Sequence, residues 1–78
     1  MTLVKKQKMD ASENEVKLTL QEKRVLALMA EGKLCSEMAE ELGLTVQTIK
    51  WYRMRLRDKL NASTSSAVIR RAMELGLL

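Results

Sequence analysis

The 78-residue sequence has no proline, no histidine and no phenylalanine, and it holds one cysteine and three glycines. Each absence removes a class of protein. A single cysteine cannot close an internal disulfide, and without histidine the usual zinc-ligand spacings cannot be built, so no metal or other cofactor is expected. Two aromatic residues, Trp51 and Tyr52, and few β-branched runs leave little from which to build a sheet. The apolar runs are far shorter than the ~20 residues that cross a bilayer. The N-terminus carries lysines but no apolar signal-peptide core, so a cytoplasmic chain without membrane contact is expected. No histidine, few candidate nucleophiles, and acids read as lying on solvated faces leave no acid–base or covalent constellation, which argues against an enzyme.

What is present points to helices. Leu, Ala, Met, Glu, Lys and Arg dominate, and these are good helix formers. A chain this short makes one domain and buries only about 60% of its unfolded surface, so the margin of stability is small. The formal charge is +4 but unevenly placed. Residues 1–43 hold seven basic and eight acidic side chains, whereas residues 44–78 hold seven basic and two acidic. Lys50, Arg53, Arg55, Arg57 and Lys59 fall within ten residues of one another. Such a concentration suits a polyanionic partner, although a basic helix can equally be a solvated face.

Residues 1–17 are polar and without period, which predicts a flexible arm or linker ahead of a domain over 18–78. Thr19-Leu20-Gln21-Glu22 reads as a capping box opening a helix over about 20–30, with Val25, Leu26 and Met29 inward and Gly32 ending it. A second helix is expected over about 36–42, with Met38, Ala39 and Leu42 inward and Glu37, Glu40 and Glu41 outward. Gly43 ends it, Leu44 plugs the turn, and Thr45 caps a third helix over about 46–60. Helix, three-residue turn with glycine, helix is the layout of a helix-turn-helix. Asn61 can close the third helix, and Ser63 or Thr64 then caps a fourth reaching about Leu75, with Val68, Ala72 and Leu75 inward. The fold class is all-α, four short helices.

At 100° per residue the third helix has an inward seam of Val46, Ile49, Leu56 and Leu60, with Tyr52 and Arg53 at its margins. The opposite side presents Gln47, Lys50, Trp51 and Met54, with Asp58 further along. Arg57 and Lys59 flank the seam on either side, and Arg55 leans outward. Lys50 has the donor for guanine O6 or N7, Gln47 suits adenine, and Trp51 and Met54 offer apolar contact to thymine methyls. Flanking cations can meet the phosphates of each strand. Arg53 is expected to pack by its stem, and Cys35 to be an inert small apolar residue.

The residues so placed resemble the LuxR-type (FixJ/NarL-like) helix-turn-helix domain of bacterial transcription regulators, including response-regulator effector domains. The resemblance runs from Leu18-Thr19 and Glu22 through Val25-Leu26, Gly32, Glu37-Met38-Ala39 and Leu42. It continues through Thr45, Thr48-Ile49-Lys50 and Lys59-Leu60 to Arg71-Ala72 and Glu74-Leu75-Gly76-Leu77-Leu78. It implies a tetrahelical domain that binds double-stranded DNA as a homodimer. By position it implies base contacts at Lys50, Trp51 and Met54, to which the helix phase adds Gln47. It implies backbone contacts at Thr45, Thr48 and Lys59, to which the phase adds Arg55 and Arg57. The fourth helix is then the dimer contact, through Ser66, Ile69, Arg70 and Met73.

The sequence departs from the family in four places. Leu34-Cys35 stands where members have a small polar pair, which shifts the expected cap of the second helix to Ser36. Tyr52 replaces a usual histidine, Ser65 a frequent arginine, and Met54 a frequent polar reader. Two other readings remain open on the sequence: a sigma-factor-like promoter-binding module, with RNA polymerase as a candidate partner, and a helical adaptor that binds protein through Trp51 and Met54.

Overall fold

The computed structural model describes residues 16–78; most of the arm expected over 1–17 lies outside the described residues. Four α-helices and no strand occur among them: α1 (Leu20–Ala30), α2 (Cys35–Leu42), α3 (Val46–Lys59) and α4 (Ser65–Glu74). The capping box of α1 forms in both directions. The Glu22 amide donates to Thr19 Oγ1 at 3.2 Å, and the Thr19 amide donates to Glu22 Oε1 at 2.9 Å.

α2 begins at Cys35 with Leu34 as its N-cap, not at Ser36. Leu34 has no side-chain oxygen, so only half of a capping box exists: its amide donates to Glu37 Oε1 at 2.7 Å. The carboxylate three residues on satisfies one orphan donor and thereby sets the start of the helix. Gly43, at φ +69°, turns the chain out of α2 in the left-handed region, where a side chain would be strained. The Leu44 amide returns to Ala39 O at 2.8 Å, and half-buried Leu44 packs on the core. Thr45 then caps α3, its Oγ1 accepting from the Thr48 amide at 3.1 Å. Thr64, one of the two candidates, caps α4 by accepting from the Ala67 amide. Asn61 takes φ +52° between α3 and α4, the left-handed position expected of it.

α3 is the centre of the packing and contacts α1, α2 and α4. The core holds Val25, Leu26, Leu28 and Met29 of α1, Met38 and Ala39 of α2, Ile49 and Leu56 of α3, Leu60, and Val68 and Ala72 of α4. Burying each of the larger aliphatic side chains stabilises the fold by about 1.5–3 kcal/mol. Of the expected core positions, Leu42 is half-buried and packs against this core, and two others are exposed. Val46, the first residue of α3, is one of them. Leu75 is exposed as the C-cap of α4, and Leu77 packs in its place after the chain turns back, its amide donating to Ala72 O at 2.8 Å. Among the described residues no helix is long and apolar enough to cross a membrane.

Candidate nucleic-acid interface

α3 is anchored from behind by Ile49, Leu56 and Leu60, all without measurable exposure or nearly so. Its other side is open. Gln47, Lys50, Trp51 and Met54 are all exposed, so the four expected base readers share one accessible surface. Trp51 is 47% and Met54 50% exposed, two large apolar side chains left at the surface of one helix. The Trp51 ring meets Tyr52 edge-on, with centroids 5.0 Å apart and planes at 75°. The guanidinium of Arg55 lies over the same indole, 4.9 Å from its centroid. Thr45 and Thr48 form a hydroxyl pair at 2.9 Å at the start of the helix, next to its free amides.

One flank of α3 faces α1, and there the carboxylate of the α1 capping box has a second role. Glu22 is 1% exposed. Arg55 Nε donates to its Oε2 at 3.0 Å, and Lys59 Nζ donates to its Oε1 at 2.7 Å. Lys59 also donates to Lys17 O at 3.2 Å. Burial alone pushes the Glu22 carboxyl up. The hydrogen bonds from Lys59, the Thr19 amide and Arg55, with the charge of Lys59, outweigh it and lower the pKa from 4.5 to about 2. Two of the expected phosphate contacts, Arg55 and Lys59, thus already share an internal carboxylate. The signal was in the helix phase: Glu22 stands in register with Val25, Leu26 and Met29 on the inward face of α1.

The other flank carries Lys50, Arg53 and Arg57, which line a shallow cleft of about 240 Å³. None of the three forms an ion pair with a carboxylate among the described residues. Arg53 packs by its stem as expected. Its head donates to Cys35 Sγ and Ser65 Oγ, each at 2.7 Å, which ties the starts of α2 and α4 to α3. Its buried Nε finds no partner. Cys35 is half-buried at this junction. On α4, Ser66, Arg70 and Met73 are exposed, while Ile69 is half-buried and packs against the core. Among the described residues no three His, Cys, Asp or Glu side chains gather to hold a metal.

The chain is similar to known proteins in sequence and in fold. Residues 16–72 match the family described as bacterial regulatory proteins, luxR family. The chain is 36% identical over 61 residues to the transcriptional regulatory protein MctR of Rhizobium johnstonii, covering 78% of this chain and 28% of MctR. It is 38% identical over 61 residues to the transcriptional activator protein AnoR of Acinetobacter nosocomialis, covering 78% of this chain and 26% of AnoR. Identity to the transcriptional regulatory protein LiaR of Bacillus subtilis is 42% over 53 residues, covering 65% of this chain and 25% of LiaR. The chain therefore spans less than a third of the length of these relatives. Among solved structures it is similar to a Vibrio cholerae VqmA dimer determined without its target DNA, with a TM-score of 0.79 and 30% identity over 86% of this chain and 30% of that one. A VqmA–ligand–DNA complex gives a TM-score of 0.76 and 32% identity over 81% of this chain and 28% of that one.

Proposed function

The chain belongs to the luxR family of bacterial regulatory proteins, DNA-binding regulators of transcription, and we propose that it reads double-stranded DNA by laying α3 in the major groove. The observation that carries this is the open side of α3: Gln47, Lys50, Trp51 and Met54 stand together, exposed, on a helix whose back is fixed in the core. A helix so mounted has the width and the projecting donors that base edges require. Lys50 donates to guanine, Gln47 pairs with adenine, and Trp51 and Met54 lie against thymine methyls.

Thr45, Thr48 and Arg57 meet the sugar-phosphate backbone in this arrangement. Arg55 and Lys59 bring a reduced net charge to the opposite strand, because Glu22 already faces both. Two copies associate on DNA through α4, with Met73 and Ile69 at the centre and Ser66 and Arg70 at the rim. Support for a dimer comes from the exposure of Met73 and from the dimeric VqmA whose domain shares this fold. Glu31, Glu40 and Glu41 are exposed and off α3, which leaves them for a protein partner, RNA polymerase being the one expected.

Selection of bound sites from random duplex DNA tests the proposal. A short motif recovered as two symmetric half-sites is the expected result. Recovery of no motif, or binding indifferent to the combined Lys50→Ala and Trp51→Ala change, overturns it.

A further inference from the structure

Arg55 is engaged on two sides at once. Its Nε donates to Glu22 Oε2 at 3.0 Å, and its guanidinium carbon stands 4.9 Å from the centre of the Trp51 ring. Trp51 and Arg55 are four residues apart, so the stack runs along one turn of α3. Glu22 is a fixed acceptor. It is buried, and its other oxygen takes the Thr19 amide at 2.9 Å and Lys59 Nζ at 2.7 Å. The carboxylate restrains the guanidinium through Nε, and the guanidinium in turn restrains the indole that it lies over. Tyr52 closes on the same ring edge-on. A half-exposed tryptophan without such neighbours would lose more rotational freedom on meeting a base. The charge of Arg55 is meanwhile answered in part inside the protein, by a carboxylate that it shares with Lys59, which lessens what it can offer a phosphate.

We propose that Arg55 is a positioning residue for Trp51 and not a phosphate anchor, and that buried Glu22 holds it in that role. A chain of contacts, Glu22 to Arg55 to Trp51, then links the start of α1 to the surface of α3. The consequence for DNA rests on the reading of α3 as the helix that reads bases; the orientation of Trp51 stands without it.

Trp51 is the sole tryptophan, so fluorescence reports this ring alone. The test uses the 78-residue chain and the variants Arg55→Lys and Arg55→Gln. Lysine keeps the charge but lacks the planar face. In the free protein both variants should add a fast local component to the anisotropy decay of Trp51 and raise its quenching by acrylamide. On duplexes recovered by selection, both should lose about 2–5-fold in discrimination against single base-pair changes. The slope of log affinity against log salt should stay at the wild-type value, and Arg55→Gln should add no further loss in a Trp51→Ala background.

A phosphate anchor behaves otherwise. Arg55→Lys would then keep the slope, and Arg55→Gln would lower it by about 1 for every sequence alike. That result, or an unchanged anisotropy decay, overturns the proposal. Should selection return no duplex, the DNA-reading assignment falls, and the fluorescence measurements still decide whether Arg55 orients Trp51. Glu22→Gln should reproduce the Arg55 variants; if it fails to fold, the two Arg55 variants decide alone.

Discussion

The two flanks of α3 carry similar numbers of cations and treat them in opposite ways. On the side facing α1, Arg55 and Lys59 converge on Glu22, which is buried and ionised. On the other side, Lys50, Arg53 and Arg57 line an open cleft without a carboxylate partner among the described residues. A count of positive charges along the helix treats both alike. The difference teaches that charge on one side of α3 serves the fold first, while on the other Lys50 and Arg57 are available to a polyanion and only Arg53 is tied into the fold, through Cys35 and Ser65. Removing a lone partner of a buried charge costs far more than removing an exposed one, so the two flanks should answer mutation differently.

The largest effect should come from Glu22→Ala, which converts the paired flank into a second unpaired one. Lys59 and Arg55 lose their acceptor and the Thr19 amide loses its cap, at a cost of about 2–4 kcal/mol, less than for a fully buried pair because both cations reach solvent. Urea denaturation followed by circular dichroism measures it. For a domain of this size that is a large share of the total stability.

Acid should find the same group. The folded pKa of Glu22, about 2, lies below its ordinary value of 4.5. Its contribution is therefore complete above pH 4.5 and is lost as pH falls through about 2, to the extent of about 3 kcal/mol. A stability profile between pH 6 and pH 2 should show this loss in the wild type and much less of it in Glu22→Gln.

On the open side of the helix, Lys50→Ala and Trp51→Ala should each lower discrimination between DNA sequences by about 1–3 kcal/mol while leaving urea stability near the wild-type value. Arg57→Ala should weaken all sequences about equally and lower the salt slope by about 1. Lys59→Ala separates the flanks most clearly. It should cost stability through Glu22, whereas a pure phosphate contact would cost none. The smallest change is expected at Arg71, whose pairing with Glu74 at 3.4 Å is solvent-exposed. Replacing Glu74 by alanine should alter stability by less than about 1 kcal/mol.

Much of the fold was legible in the sequence because its punctuation is local. Thr19 with Glu22, Gly43, Thr45 and Asn61 each act within a few residues, and α1, α3 and α4 fall where those signals put them, to within a residue at their ends. The start of α2 differs from the expected one because its cap, Leu34, has no side-chain oxygen to mark it. Glu37, three residues on, was the signal that remained. Val46 and Leu75 have the phase of core residues but lie at helix ends, where they are only partly covered; periodicity describes direction and says nothing of reach.

The surface of α3 was legible for the same reason that its electrostatics were not. Phase places Gln47, Lys50, Trp51 and Met54 on one side, and the structure finds all four exposed there. The partners of Glu22 lie 33 and 37 residues away in the chain, and the partners of Arg53 lie 18 and 12 residues away. No local pattern can connect them. Only the crossing of α1 and α3 brings the first set together, and only the meeting of α2, α3 and α4 the second.

The central claim is that the open side of α3 reads DNA. It is tested most directly by the ratio of affinities for a selected duplex and a scrambled one, measured by fluorescence anisotropy at fixed salt with Lys50→Ala/Trp51→Ala. This ratio should collapse toward 1 in the double variant while residual, salt-sensitive binding persists. A ratio equal to that of the wild type would contradict it.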